Sequence, residues 1–382
     1  IHCGLKKRKK DLAFILSDSP CSAAGTFTLN KVKAAPLVYS QEIIKSGKQV
    51  RAVLINSGNA NAATGKQGYL NVLRTVNKLS QIFKLKEDEV LVSSTGVIGQ
   101  QLNMDILLKG IEELPMSLSE SGGIEAAKAI MTTDKFEKHF ALKINLDDRK
   151  SVSIGGICKG SGMIMPNMAT MLAFITTDAL IDRTSLQEII SEVVDETFNK
   201  ISVDGETSTN DMVIILANGK SGVDVTSNNK HLTLFKNALF DLCKKMAKAI
   251  VSDGEGATKL VKIKIINARD YDSANRAAKA VVNSPLVKTA IAGADANWGR
   301  ILSAIGNSGI EFDPEQTEIY FDQLKVLDKG YNTKFSEEKA KSILSKKEFT
   351  IAIDLNNGEK NTEWFTTDFT EDYIKINAYY RT

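Results

Sequence analysis

The stretch Lys159-Gly-Ser-Gly-Met-Ile-Met-Pro-Asn-Met-Ala-Thr-Met-Leu172 decides how this chain is read. Glycines at 155, 156, 160 and 162 loosen the backbone, and Pro166 fixes a bend shortly before Thr170. The residues that follow, Met-Leu-Ala-Phe-Ile at 171–175, read as a buried strand. A flexible approach therefore meets a rigid strand at one hydroxyl. A strained bend of that kind presents Thr170 for attack on the carbonyl of Ala169, an N-to-O acyl shift. Hydrolysis of the resulting ester would leave Thr170 with a free α-amine. Such an amine titrates near ~7.7–8, against ~10.4 for lysine, so at neutral pH it can take the proton of its own residue's hydroxyl. Threonine paired with an N-terminal amine is an activated nucleophile. On residue types alone, an ordinary glycine-rich turn entering a core strand is the commoner alternative.

The rest of the composition narrows the choice by exclusion. With 382 residues and 43% hydrophobic content, the chain is long enough for a large core or two lobes. Lysine plus arginine total 49 against 46 acidic residues, and a formal charge of +3 implies neither nucleic acid nor an anionic membrane as partner. The basic run Lys6–Lys10 reads as a solvated surface. No apolar stretch approaches the roughly 18–20 residues of a membrane span, and no hydrophobic signal region opens the chain, so a cytoplasmic location is expected. Cys3, Cys21, Cys158 and Cys243 are scattered without a Cys-x-x-Cys pair, which suggests free thiols rather than a zinc site or disulfides. Cys158 next to Lys159 could pass for a nucleophile, but no histidine lies near it in sequence. His2, His139 and His231 are the whole supply, none in a hydrolase or metalloenzyme motif. Scarcity of a histidine base is what makes a self-supplied amine attractive.

Taken in order, 11–16 and 25–29 look like short strands and 49–55 like a third, ending in a Gly/Asn/Ala-rich loop. That loop fails as a phosphate cradle, because Gly58 and Gly65 are badly spaced and Lys66 is followed by Gln67. Apolar residues at 70, 73, 76, 79 and 83 predict a core-facing helix. Val90–Gly96 reads as a strand running into a turn, where the backbone N–H of Gly96 and the Thr95 hydroxyl could serve as two donors to an oxyanion; a plain Ser/Thr/Gly turn is the alternative. Helices are expected around 105–114 and 124–132, and Asp134 with Glu137 fits a capping box that would start another. Residues 140–146 and 151–157 suit an antiparallel pair, and 184–198 and 232–250 suit helices. Asp195, Glu196, Asp204 and Glu206 resemble a cation site at first glance, but their spacing does not fit a calcium loop. Glu255, between two glycines, reads as an exposed loop carboxylate able to receive an ammonium group, or else as a surface turn. Beyond about 261, strands are expected at 261–267, 287–292, 317–326 and 348–354, with helices near 271–282, 298–306 and 336–346. Hairpin strands mixed with helices, without regular alternation, predict an α+β fold with a largely antiparallel sheet.

The cleavage-like stretch resembles the self-cleavage segment of the ornithine acetyltransferase family, also called the glutamate N-acetyltransferase or ArgJ family. Other stretches that resemble that family are Asn-Ser-Gly-Asn-Ala-Asn-Ala at 56–62, Ser-Thr-Gly-Val-Ile-Gly at 94–99, Ser-Asp-Gly-Glu-Gly-Ala-Thr-Lys at 252–259, Ser-Pro-Leu-Val-Lys-Thr-Ala at 284–290 and Asn-Trp-Gly-Arg-Ile at 297–301. The resemblance covers nearly the whole chain and implies arginine biosynthesis: acetyl transfer from N2-acetyl-L-ornithine to L-glutamate through acetyl-Thr170, after self-cleavage between Ala169 and Thr170. It implies Thr95 and Gly96 as the oxyanion hole, and Thr133, Lys159, Thr170, Glu255, Asn377 and Thr382 as substrate contacts. No metal and no required cofactor follow from it, although acetyl-CoA is an alternative acetyl donor in bifunctional members.

For architecture, the resemblance implies a layered α-β-β-α sandwich of the ArgJ/DmpA type. It implies an α-chain, 1–169, and a β-chain, 170–382, with a smaller C-terminal α/β lobe from about 265, and a heterotetramer of two of each. Three departures stand out. Glu206 replaces a more usual aspartate, Ala296 stands where proline is common, and the chain opens at Ile1 without the stretch that usually precedes Gly-Leu-Lys, which predicts a truncated start.

Overall fold

The computed structural model describes residues 1–165 and 171–379. Ala169, Thr170 and Thr382 therefore lie outside the described residues. The chain divides into two compact units, Ile1–Asn199 with Glu206–Ile250 and Lys200–Gly205 with Val251–Thr382.

In the first unit, the strands are β1 (Leu12–Phe27), β2 (Val50–Asn59), β3 (Val90–Val97), β4 (Lys138–Asn145), β5 (Ser151–Lys159) and β6 (Leu172–Thr177). Past β7 (Ile201–Ser202), which belongs to the second unit, comes β8 (Met212–Ala217). The sheet order is β3-β2-β1-β8-β6-β5-β4, mostly antiparallel, with β2/β3 and β6/β8 parallel. Successive side chains of a strand point to opposite faces. In β2, Val53 and Ile55 enter one core while Ala52 and Leu54 enter another, which is why residues 52–55 read as a continuous apolar run. Helices α1 (Ala35–Ser46), α2 (Gly65–Phe83), α3 (Met104–Ser117), α4 (Gly123–Ile130) and α5 (Arg183–Glu196) pack on it, and the long α6 (Asn229–Ser252) follows β8.

The second unit carries a sheet of order β11-β10-β12-β9-β13-β7, in which β9 is Leu260–Ala268, β10 Glu318–Phe321, β11 Leu324–Leu327, β12 Glu348–Asp354 and β13 Lys360–Thr367. Its core joins Ile263, Ile351 and Trp364 of the sheet to Ala274, Ala277 and Val281 of α7 (Tyr271–Val282). Helices α8 (Pro285–Ala292), α9 (Trp298–Gly306), α10 (Glu337–Leu344) and α11 (Glu371–Ala378) complete it. The fold class is α+β.

Several expectations are corrected. The two strands expected at 11–16 and 25–29 are one, β1, whose register slips between Leu16 and Cys21 so that its halves pair with β2 and β8 respectively. Residues 287–292 are helical, not extended: Ser284 Oγ accepts the amide of Val287 at 3.3 Å, and Pro285 follows it in the first helical turn, a start signal that outweighs the β-like composition. Residues 317–326 form a hairpin, β10–β11, that turns at Asp322 with φ 49°. In α2 the expected stripe is rotated, because Leu70 and Leu73 are 42% and 39% exposed while Val72, Thr75, Val76 and Leu79 are buried. The helix expected after Asp134 does not form, since β4 begins at Lys138 instead.

Candidate active site

At the end of β3, Thr95 is buried and Gly96 adopts φ +134°. A Cβ at Gly96 would lie 2.3 Å from the carbonyl carbon of Gly58 and 2.6 Å from the amide nitrogen of Asn59, so no other residue fits. The facing loop is a scaffold of buried asparagines. Asn56 Nδ2 donates to the carbonyl of Asn59 at 2.9 Å, the Ser94 hydroxyl donates to Asn56 Oδ1 at 2.5 Å, and Asn61 Nδ2 donates to the carbonyl of Gly68 at 3.0 Å. Irregular backbone can be buried here because side-chain amides satisfy its polar groups.

Lys159 ends β5 with its side chain 2% exposed, and its Nζ lies 3.9 Å from Asp134 Oδ2. Asp134 is a buried hub. Its Oδ1 accepts from Lys138 Nζ at 2.8 Å and from the amide of Gly160 at 2.9 Å, and its Oδ2 accepts the amide of Thr132 at 2.9 Å. Burial pushes this carboxyl up, but the ammoniums of Lys159 and Lys138 and the donated hydrogen bonds outweigh it and hold the group well below the usual carboxylate range. Lys6 donates from Nζ to the carbonyl of Met131 at 2.8 Å, and burial brings its ammonium down to about 8. Thr133, next to the hub, is half-buried. Cys158 is fully buried, and burial pushes its thiol up, so it is no nucleophile at neutral pH. The loop that follows Gly160 turns through Met163 at φ +59°, a left-handed conformation that is strained for a residue with a side chain.

Neither Asn210 nor Asp211 was singled out by sequence reasoning. Asn210 Nδ2 donates to the carbonyls of Ala60 at 2.7 Å and Ser94 at 2.8 Å, and Asp211 Oδ1 accepts the amide of Met171 at 3.0 Å. Adjacent residues thus hold the group before Thr95 and the group after Thr170. The signal available in the sequence was the polar run Ser-Thr-Asn-Asp at 208–211 immediately ahead of a fully apolar strand. Among the described residues, no group of three or more His, Cys, Asp or Glu could hold a metal ion, and no helix is long and apolar enough to cross a membrane.

In the second unit Glu255 is 7% exposed, a correction to the exposed loop carboxylate expected from its flanking glycines. Gly256 adopts φ +70°, and a Cβ there would lie 2.4 Å from the amide nitrogen of Tyr373, so the close approach of the α11 backbone requires glycine. That approach brings Asn377 Nδ2 to 2.9 Å from Glu255 Oε2, while Thr370 Oγ1 donates to the carbonyl of Gly256 at 2.7 Å. Two residues far apart in sequence are thereby joined.

A sequence model described as the ArgJ family matches residues 1–382. The arginine biosynthesis bifunctional protein ArgJ of Thermotoga neapolitana is 45% identical over 388 residues, which span 100% of this chain and 97% of that protein. The glutamate N-acetyltransferase of Methanocaldococcus jannaschii is 45% identical over 390 residues, with 99% of this chain and 96% of that protein covered. The crystal structure of arginine biosynthesis bifunctional protein ArgJ from Bacillus halodurans is similar with a TM-score of 0.51 and 42% identity, covering 53% of this chain and 96% of that one. Matched from its first residue to its last, this chain belongs to the ArgJ family.

Proposed function

We propose that this chain is an arginine-biosynthesis acetyltransferase that divides itself between Ala169 and Thr170 and then carries the acetyl group of N2-acetyl-L-ornithine to L-glutamate. The observation that carries the reading is the end of β3, where Gly96 cannot be any other residue and Asn210 pins the carbonyl of Ser94. The full-length relatives named ArgJ and glutamate N-acetyltransferase support it, and so does the strained turn at Met163 ahead of the cleavage site.

The amine of the new terminus takes the proton of the Thr170 hydroxyl, which attacks the acetyl carbonyl while Thr95 and Gly96 donate to the tetrahedral oxygen. Ornithine leaves, and the amine of glutamate attacks the acetyl ester to regenerate Thr170. One amide replaces another, so the exchange is close to energetically neutral and water must be kept out. Lys159 holds a substrate carboxylate, with Thr133 beside it. Glu255, Asn377 and Thr382 complete the substrate contacts, Glu255 receiving the ammonium. The alternative role for Lys159 is that of a neighbouring cation that lowers the amine's pKa. Acetyl-CoA is a second acetyl donor, as the bifunctional name of the relatives suggests. The cleaved chains pair as a heterotetramer of two α and two β in the cytoplasm, where the free cysteines fit a reducing environment.

Thr170→Ala should abolish both cleavage and transfer. Transfer by that variant would refute the nucleophile. Supplying acetyl-CoA and glutamate without acetylornithine tests the second donor, and hydrolysis of acetylornithine that needs no glutamate would mark an amidohydrolase instead.

A further inference from the structure

Lys6 departs from the basic run it belongs to. Lys7, Arg8 and Lys9 are exposed, as a solvated surface run should be, whereas Lys6 is half-buried. Its backbone is held by Asp11, whose completely buried carboxylate accepts the amides of Cys3 at 2.6 Å, Gly4 at 3.0 Å and Lys6 at 2.9 Å. Its stem lies on the loop that faces the end of β3. A Cβ at Gly58 would stand 2.9 Å from Lys6 Cγ, and a Cβ at Gly96 would stand 2.3 Å from the carbonyl carbon of Gly58, so the Gly58 backbone is in close contact with both. From there Lys6 Nζ donates to the carbonyl of Met131 at 2.8 Å, two residues before Thr133. All of these residues belong to the first unit.

The carbonyl of Met131 is a neutral acceptor, and an ammonium carries three donors. The two carboxylates that attract Lys6 are engaged by other groups, Asp11 by the three amides and Asp134 by Lys138 at 2.8 Å and the amides of Thr132 and Gly160. The ammoniums of Lys6, Lys138 and Lys159 thus bear together on the one carboxylate of Asp134. Burial brings Lys6 down to about 8, which leaves it charged at neutral pH. An anion that reaches such a half-buried ammonium makes a strong, charge-assisted hydrogen bond with it.

We propose that Lys6 selects glutamate as the acetyl acceptor, its ammonium donating to the side-chain carboxylate of that substrate. The inference rests on the reading of this site as one of acetyl transfer in which Lys159 holds the carboxylate that both substrates share. Acetylornithine brings one carboxylate and a side-chain ammonium, whereas glutamate brings two carboxylates. A second cation near Lys159 therefore gives a partner to glutamate alone and repels the ornithine side chain. Lys6 makes and breaks no covalent bond; it determines specificity.

The test compares kcat/KM for glutamate and for glutamine as acceptors, in the wild type, Lys6→Met and Lys6→Arg. Glutamine has the length of glutamate and lacks only its side-chain charge, while methionine keeps an apolar stem over Gly58 and deletes the ammonium. A hydrogen bond to a charged group is worth a factor of about 10–100. Lys6→Met should lose that factor with glutamate and far less with glutamine, and Lys6→Arg should recover part of the preference. An unchanged ratio between the two acceptors overturns the proposal, because a merely structural lysine, or one bound to the shared carboxylate, would weaken both alike. A second readout needs no variant. Reductive methylation of the wild type, mapped by mass spectrometry, should be slowed at Lys6 by N-acetyl-L-glutamate, which has both carboxylates but no amine to consume the reagent, and less by N-acetyl-L-glutamine. Equal labelling of Lys6 in the presence of the two overturns the proposal even where Lys6→Met fails to fold. Wild type that passes no acetyl group to glutamate sinks the reading of the site and this proposal together, whereas transfer with an unmoved ratio sinks the role of Lys6 alone.

Discussion

Asp134 is the residue whose removal tests the construction of the site most directly. It neutralises two ammoniums at once, Lys138 at 2.8 Å with both side chains 0% exposed and Lys159 at 3.9 Å. At about 4 Å and an effective dielectric of about 20, each attraction is of order 4 kcal/mol before desolvation is subtracted. Asp134→Asn keeps the shape and deletes the charge that pairs with both buried ammoniums. Breaking a buried pair by removing one partner costs about 3–5 kcal/mol, so a unit of this size should melt roughly 10 °C lower. Lys159 then shifts or loses its proton, and kcat/KM for glutamate should fall by about 10²-fold, since an ångström of misplacement can cost that much. The wild type holds this carboxyl below its unfolded pKa, so its advantage is fully present above the ordinary carboxylate range and is lost only as pH falls toward strong acid. Thermal melts and steady-state kinetics from pH 5 to 8 are the assay. Adding Lys138→Met to Asp134→Asn should restore part of the stability by removing one of the two ammoniums that lost their carboxylate. If the double variant is less stable by the sum of the single effects, or if Asp134→Asn melts with the wild type, the charge argument is wrong.

Gly96→Ala should stop both self-cleavage and transfer, because its Cβ would sit 2.3 Å from the Gly58 backbone at φ +134°; a denaturing gel showing two fragments would contradict this. Gly256→Ala should displace α11 and raise KM without preventing self-cleavage, because the hydrogen bond it breaks is the one from Asn377 to Glu255; an unchanged KM would refute the pairing. Lys288 is buried, donates from Nζ to Thr366 Oγ1 at 2.9 Å, and has its ammonium brought down to about 7 by burial. Its folded pKa lies below the ordinary ~10.4, so the unfolded chain binds the extra proton between those values and stability rises with pH across that window. Relative to Lys288→Met, the wild type should therefore gain a few kcal/mol, about 1.4 for each unit of pKa shift, between pH 7 and 10. Urea midpoints at pH 6, 8 and 10 measure it, and a constant difference would count against it.

Local signals carried much of the architecture. The apolar runs of β2 and β6 and the periodicity of α5 and α6 are each set by neighbours a few residues away, and they lie where the sequence places them. What failed was whatever depended on a distant partner. Leu70 and Leu73 fit a helical stripe as well as Val72 and Val76 do, and only the position of the sheet decides which face turns inward. The flanking glycines of Glu255 signal a loop, yet nothing near residue 255 announces the helix more than a hundred residues later whose backbone covers it. The strand β13 and helix α11 escaped notice altogether, since the polar residues of Lys360–Thr367 pair with β9 rather than with a sequence neighbour.

Asp134 shows why a local motif can be satisfied and still misread. Asp-x-x-Glu followed by a basic residue is the composition of a helix start, and a carboxylate at that position normally accepts an amide two or three residues ahead. Here the carboxylate does accept amides, but they are Thr132 behind it and Gly160 far along the chain, and Lys138 is reached by its side chain across the start of a strand. A strand from Lys138 onward keeps the Asp134 carboxylate 2.8 Å from the Lys138 ammonium and 3.9 Å from that of Lys159, whereas a lost cap costs about 1 kcal/mol. The extended path of residues 138–145 goes with those two ion pairs. The same choice places Asp134 beside the first amide of the glycine-rich run, so the charge balance of the site and the course of the segment leading to Thr170 are set by one side chain.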